Sequence, residues 1–373
     1  MGIEFNNCFD KVFFNILKKN NFPVYLYFIK CLYFDFYKII DNNVVLKNPN
    51  RNIEQTILRE IYNIDLNFDD SNAYSIETLI SNEEIHYVGL LLDSYYCDWL
   101  LFYKQKHINH PIIVNKYYID KDIIEFEDSF SVLDEKDLKR NIKDICGESF
   151  KKFFIVINNQ KKINYRYVKK FIKNILLHYD KLNENYYNLF IENINEKYLL
   201  NMSNSVETNE IIIGLNNIAT DRNNFICFLD SYINDNKKKD ILEKELEDSK
   251  KLFLVLKAII TKFYLTNKIN KEHVKNTVTE IKEIDKKIFF SLKAFWEAEM
   301  EKDILDKINV FLKTNYSADD DLVINSIDFI KLIVNIECAY EIQFDNDNLL
   351  ISKYSKISDL IEYICTKIYE SNE

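Results

Sequence analysis

A chain of 373 residues, 47% hydrophobic and 29% charged, has the composition of a folded protein and the length for two or three domains. Four glycines and three prolines leave the turns to Asn, Asp and Ser, and almost exclude a glycine-rich phosphate cradle. The formal net charge is −10, and from Glu301 onward fifteen acidic residues stand against seven basic ones. Such a tail argues against nucleic acid or an anionic membrane as partner and suits docking to basic patches on other proteins.

Seven cysteines (Cys8, Cys31, Cys97, Cys146, Cys227, Cys338 and Cys365) show neither CxxC pairs nor metal-finger spacing. Glu4, Asn6, Asn7 and Asp10 interrupt the N-terminus, so no signal peptide is expected there. No apolar run approaches the roughly eighteen residues of a membrane span. The expectation is a cytoplasmic protein with free thiols.

In chain order, Phe9, Val12, Phe13, Ile16 and Leu17 recur at helical spacing, which places Cys8 at or just before a helix N-terminus. Residues 22–40 are aromatic and apolar, a buried strand and helix, and Glu54 to Ile61 reads as a short helix. A buried strand over Ile85 to Asp93 ends in Asp93-Ser94-Tyr95-Tyr96. Pro111 to Tyr118 and Ile123 to Glu127 form two apolar strands around an Asp120-Lys121-Asp122 turn. Leu133 to Ile145 is predicted as helix and Phe153 to Ile157 as a further strand. Residues 1–160 are therefore expected to be an α+β domain.

Helical periods fill Tyr165 to Glu299, so residues 161–300 are expected to be an amphipathic helical region without a chemical motif of its own. The segment 301–373 reads helix (Ile304 to Thr314), acidic loop (Ser317 to Leu322), helix from Ser326, a short third helix near Asn346 to Tyr354, and helix Ile357 to Tyr369.

Cysteine acyl chemistry needs a thiolate, a base beside it and a group that orients the base. Cys8 is the best placed of the seven thiols, because a helix N-terminus favours the thiolate. His110 opens one apolar strand and Asp128 ends the next, so adjacent antiparallel strands bring imidazole and carboxylate within reach of each other. His107 is a rival base; His110 is preferred because its strand fixes it. Tyr95, Tyr96, Trp99 and Phe102 are candidates to exclude water from the site. Against this stands the packing role usual for a free cysteine.

The segments Asn6-Asn7-Cys8-Phe9, Leu91-Leu92-Asp93-Ser94-Tyr95-Tyr96 and His107-Ile108-Asn109-His110-Pro111 resemble a papain-like family of biosynthetic clusters. That family includes the N-terminal domain of the butirosin acyltransferase and is more distantly similar to the bacteriocin-processing peptidases. The resemblance implies Cys8 as nucleophile, His110 as base and Asp128 as the orienting carboxylate. Gly2 stands where the bacteriocin peptidases carry an oxyanion glutamine, so Asn6, Asn7 or the backbone N–H of Cys8 are the candidates for that donor.

The C-terminal run Leu322-Val323-Ile324-Asn325-Ser326-Ile327-Asp328-Phe329, with its acidic loop and apolar spacing, resembles an acyl or peptidyl carrier protein. The resemblance implies a four-helix fold and a 4'-phosphopantetheine arm on Ser326. The family usually has Asp-Ser-Leu where this chain has Asn325-Ser326-Ile327, and a serine here is equally at home as a helix N-cap.

Together the resemblances imply an acyltransferase of thiotemplated natural-product biosynthesis. It would move an acyl or aminoacyl group from a carrier thioester through acyl-Cys8 to an amine acceptor. The implied partners are a phosphopantetheinyl transferase and a carrier-loading adenylating enzyme or other carrier proteins. Neither nucleic acid nor a membrane span is expected, and no metal motif is present. Water as acceptor would make the chain a thioesterase, a peptide donor would make it a cysteine protease, and a non-catalytic carrier scaffold is the remaining alternative.

Overall fold

The computed structural model describes residues 8–31, 38–40, 43–45, 51–69, 73–101, 103–105, 107–128, 138–146, 150–158, 163–194, 210–233 and 236–370. Two compact units divide the chain, residues 1–289 and residues 290–373. Among the described residues no helix is long and apolar enough to cross a membrane.

The first unit opens with helix α1 (Cys8–Lys19), whose Phe9, Val12, Phe13, Ile16 and Leu17 are buried as their spacing requires. A tight 3-10 segment follows over Val24–Cys31, buried from Leu26 onward. Strands β1 (Lys38–Ile40) and β2 (Asn43–Val45) form a small antiparallel pair, and α2 (Arg51–Tyr62) leads into the main sheet.

That sheet holds β3 (Ile64–Asp69), β4 (Tyr87–Asp93), β5 (Asn109–Tyr118), β6 (Ile123–Glu127), β7 (Leu138–Asn141) and β8 (Lys151–Ile157). Their order is β3-β8-β4-β5-β6-β7, antiparallel throughout. With its flanking helices the unit is α+β. Val88 to Leu92 of β4 are all buried, which accounts for an unbroken apolar run where a one-sided strand would alternate. Leu90 and Leu92 join Trp99, Ile112 and Phe126 in one core. Elsewhere the Phe153 ring covers Gly89 and meets Phe9 of α1 at 5.8 Å. A Cβ on Gly89 would lie 2.1 Å from that ring, so the position requires glycine.

The β5–β6 hairpin turns through Ile119–Lys121 and Asp122, which takes a left-handed φ of 53°. Its carboxylate accepts from the Tyr117 hydroxyl at 3.0 Å. One predicted element is corrected here. Residues 133–137 lie outside the described residues, but Leu138–Asn141 is strand β7 and only Ile142–Cys146 is helical (α4). Pairing with β6 and burial of Leu138 outweigh the local helical pattern. Strand β2, the edge strand β3 and the short helix α3 (Ile76–Ile80) had no counterpart in the sequence reading.

The helices α5 (Tyr165–Asn193), α6 (Glu210–Tyr232), α7 (Asn236–Thr266) and α8 (Lys271–Leu312) follow. Helix α6 packs against α7 and against the 24–31 segment, which ties the helical layer to the start of the chain. At its centre Asp285 accepts from the Tyr187 hydroxyl at 2.6 Å and from Ser249 at 3.0 Å, and pairs with Arg222 at 3.3 Å.

The division between the units falls within α8. The second unit contains the end of that helix, α9 (Ser326–Tyr340) and α10 (Ile357–Glu370), around a core of Ile304, Ile308, Phe329, Leu332, Ile336, Leu360 and Ile364. Where a short third helix was expected there are two 3-10 turns, Asn346–Asn348 and Ile351–Lys353. The acidic loop is laced to the start of α10, with Ile357 N–H donating to Asp320 and Ser358 N–H to Ala318.

Candidate active site

Cys8 is the first residue of α1 and is half-buried. Helix α1 packs on β5, the strand that carries His110 as its second residue, opposite Leu92 of β4. His110 is 3% exposed. Its Nε2 lies 2.6 Å from Oδ2 of Asp128, the residue directly after β6. Antiparallel pairing of β5 with β6 closes the eighteen-residue separation, as the sequence implied.

Burial by itself would lower the His110 imidazole, but hydrogen bonds to Asp128 and to Cys8 outweigh it and push the group up to about 9. Nε2 is taken by Asp128, which leaves Nδ1 as the nitrogen for the thiol. The three predicted side chains therefore stand in one line: thiol, imidazole, carboxylate. A thiol beside an imidazole that a carboxylate orients is the arrangement cysteine acyl chemistry uses.

The Asp128 side chain is 2% exposed and would be costly if it met His110 alone. Trp99 supplies a second donor: its indole Nε1–H reaches the same Oδ2 at 2.5 Å. Trp99, one of the aromatics named as candidates to exclude water, is fully buried beside Asp128 and packs on Phe126 at 4.8 Å. Tyr95 and Tyr96 are half-buried, while Phe102, Gly2, Asn6 and Asn7 lie outside the described residues.

A second polar group, unread in the sequence, fixes the start of α1. Asp10, two residues beyond Cys8, accepts from the Tyr27 hydroxyl at 2.9 Å and from the Lys30 ammonium, which also binds Glu54 at 2.8 Å. Lys30 and Asp10 are each 4% exposed. Burial lowers the Lys30 ammonium, but the two carboxylates outweigh it and hold it charged. A lone lysine inside the apolar run Tyr27-Phe28-Ile29-Lys30-Cys31 was the available signal, since a buried lysine needs a carboxylate partner.

His107 does not join the triad. Its Nδ1 lies 2.6 Å from Oδ2 of Asp93, and its ring stacks on Tyr95 with centroids 4.4 Å apart. Of the other thiols, burial pushes Cys31, Cys97, Cys146, Cys227 and Cys365 up, and Cys338 is exposed.

In the second unit Ser326 is the first residue of α9 and is exposed. The capping position belongs to Asn325, whose side chain accepts from the N–H groups of Ile327 at 3.1 Å and Asp328 at 2.9 Å. The Ser326 hydroxyl makes no hydrogen bond to another described residue, so capping does not account for the serine. Val323 and Ile327 flank it, 76% and 70% exposed.

No protein-family model matches the sequence, and no curated protein matches it either.

Proposed function

We propose that the chain is a cysteine-dependent acyltransferase, with Cys8 as nucleophile, His110 as acid and base, and Asp128 as the carboxylate that orients the imidazole. The observation that carries this reading is the line from half-buried Cys8 through buried His110 to buried Asp128. The papain-like resemblance of residues 1–160 supports it.

The Cys8 thiolate attacks the carbonyl of an acyl thioester, and the helix N-terminus with the Cys8 N–H faces the developing oxyanion. His110 gives its proton to the departing thiol as the carbon–sulfur bond breaks, which leaves an acyl-Cys8 and a neutral imidazole. An amine then attacks the acyl-enzyme and His110 takes a proton from its nitrogen. The thiolate of Cys8 departs and the product is an amide. Asp128 keeps Nε2–H directed at itself in every step, so that Nδ1 faces the chemistry.

The donor class is a pantetheine thioester, and the second unit is read as its carrier. An exposed serine hydroxyl beside an already satisfied N-cap fits covalent attachment of 4'-phosphopantetheine, which when bound supplies a thiol for acyl groups. Ser326 would hold that arm, and Val323 and Ile327 would give its surroundings an apolar surface.

Intact-protein mass spectrometry after incubation with acetyl-pantetheine tests the reading. An acetyl increment on Cys8, lost in Cys8→Ala and His110→Ala, is the expected result. Absence of any acyl load on the wild type overturns it. Free acid as the sole product, whichever amine is offered, converts the transferase into a thioesterase.

A further inference from the structure

Two imidazole–carboxylate pairs stand at the same end of the β4–β5 ladder. His110–Asp128 is buried, with side chains 4% and 2% exposed; His107–Asp93 is open, at 65% and 29%. Asp93 pairs with Asn109 one residue along from the Leu92–His110 pair, about 3.4 Å of rise away. Both pairs therefore frame one strand end, and the proposed mechanism uses only the first.

An exposed histidine ordinarily keeps its rotamer freedom, because nothing offsets the entropy of fixing it. His107 is fixed from several sides. Asp93 holds Nδ1, the Tyr95 ring lies parallel to the imidazole within 11°, and Asp93 is itself held by the Tyr95 N–H at 3.0 Å. The adjoining residue Ile108 exchanges two hydrogen bonds with buried Ser94, at 2.9 and 3.1 Å. This clamp directs Nδ1–H at the carboxylate and leaves Nε2 as the basic nitrogen, open to solvent.

Resting on the acyltransferase reading, we propose that the His107–Asp93 pair is the base that takes the first proton from the amine acceptor. An alkylamine reaches the protein as an ammonium ion with no lone pair for attack. Making an amide from it removes two protons, and His110 accounts for one. His107 Nε2 accepts the first, turning the ammonium into free amine and the imidazole into imidazolium. The free amine attacks acyl-Cys8, His110 takes the second proton, and the thiolate leaves. His107 then returns its proton to water. The acceptor class that needs this device is a basic alkylamine, not a weakly basic nitrogen nucleophile that is already neutral at pH 7.

The full chain, pre-acylated with acetyl-pantetheine, is offered butylamine, an ammonium at pH 7, or hydroxylamine, largely uncharged there. In His107→Gln the ratio of butylamine to hydroxylamine turnover is expected to fall about 100-fold, the scale of a lost positioned base. Asp93→Asn should lower it in the same direction, and added imidazole should restore butylamine turnover in His107→Gly. An equal fall with both acceptors, or an unchanged ratio, overturns the proposal, and so does failure of rescue in a folded His107→Gly. Wild-type protein that never acquires an acyl group on Cys8 overturns the acyltransferase reading and this proposal with it. Normal loading with an unchanged ratio removes this proposal alone.

Discussion

Trp99 and His110 donate to one oxygen, Oδ2 of Asp128, at 2.5 and 2.6 Å. The indole comes from the turn after β4 and the imidazole from β5, so the carboxylate is clamped between a turn and a strand. A carboxylate with both donors in place has little freedom to rotate, and the imidazole inherits that rigidity. Trp99→Phe keeps an aromatic ring and removes the N–H. Turnover is expected to fall by about tenfold, with about 1–3 kcal/mol lost in urea denaturation from the lost indole hydrogen bond and the smaller ring. Unchanged turnover would show that the indole N–H is not needed to hold Asp128.

Stability should depend on pH through His110. Its imidazole is raised from an ordinary value of 6.5 to about 9 in the folded protein. Folding is therefore favoured fully below about pH 6.5, and the contribution fades as pH rises through about 9. Linkage puts it on the order of 3 kcal/mol. The urea midpoint of the wild type is expected to drop between pH 6.5 and 9, and His110→Gln should flatten that part of the curve. A wild-type midpoint constant over this range would contradict the thiol–imidazole–carboxylate line.

Lys30 joins Asp10 of α1 to Glu54 of α2. Lys30→Met keeps much of the volume but leaves two buried carboxylates without their cation. A loss of about 3–5 kcal/mol is expected, measured by chemical denaturation. Glu54→Gln combined with Lys30→Met should recover part of it, and no recovery would argue against coupling within the group.

For the carrier reading, coenzyme A with a broad phosphopantetheinyl transferase should add one arm to the wild type and none to Ser326→Ala. Asn325→Asp installs the residue usual in acyl carrier proteins and retains a capping oxygen. It is expected to leave the melting temperature nearly unchanged and to speed modification. Asn325→Ala should cost about 1 kcal/mol through the lost cap. An arm added elsewhere than Ser326 would sink the assignment.

The line Cys8, His110, Asp128 was legible because each residue stands at an element boundary that periodicity reveals. Cys8 precedes a helical stripe, His110 opens an apolar strand and Asp128 closes the next. What surrounds that line was not legible. Trp99 meets Asp128 across 29 residues, and His107 meets Asp93 across 14. In each pair a loop residue, Trp99 or His107, meets a carboxylate at a strand end, and the path of a loop is not written in local periodicity. Strand β7 was hidden for a related reason: its short Leu138–Asn141 stretch is strand only because β6 is beside it. At Ser326 the sequence left capping and modification open, and the Asn325 side chain decides that capping is not the serine's task.

The course of α8 bears on how the C-terminal unit is isolated. Composition turns acidic at Glu301, yet Lys271–Leu312 is helical on both sides of that point. A fragment begun at Glu301 would discard Met300, a member of the second core, and start in mid-helix with several unsatisfied N–H groups close to Ile304 and Ile308. Fraying there would loosen the packing beneath Phe329 and Leu332. A fragment begun near residue 290, with a serine or aspartate cap placed before it, keeps two to three extra turns to absorb the fraying.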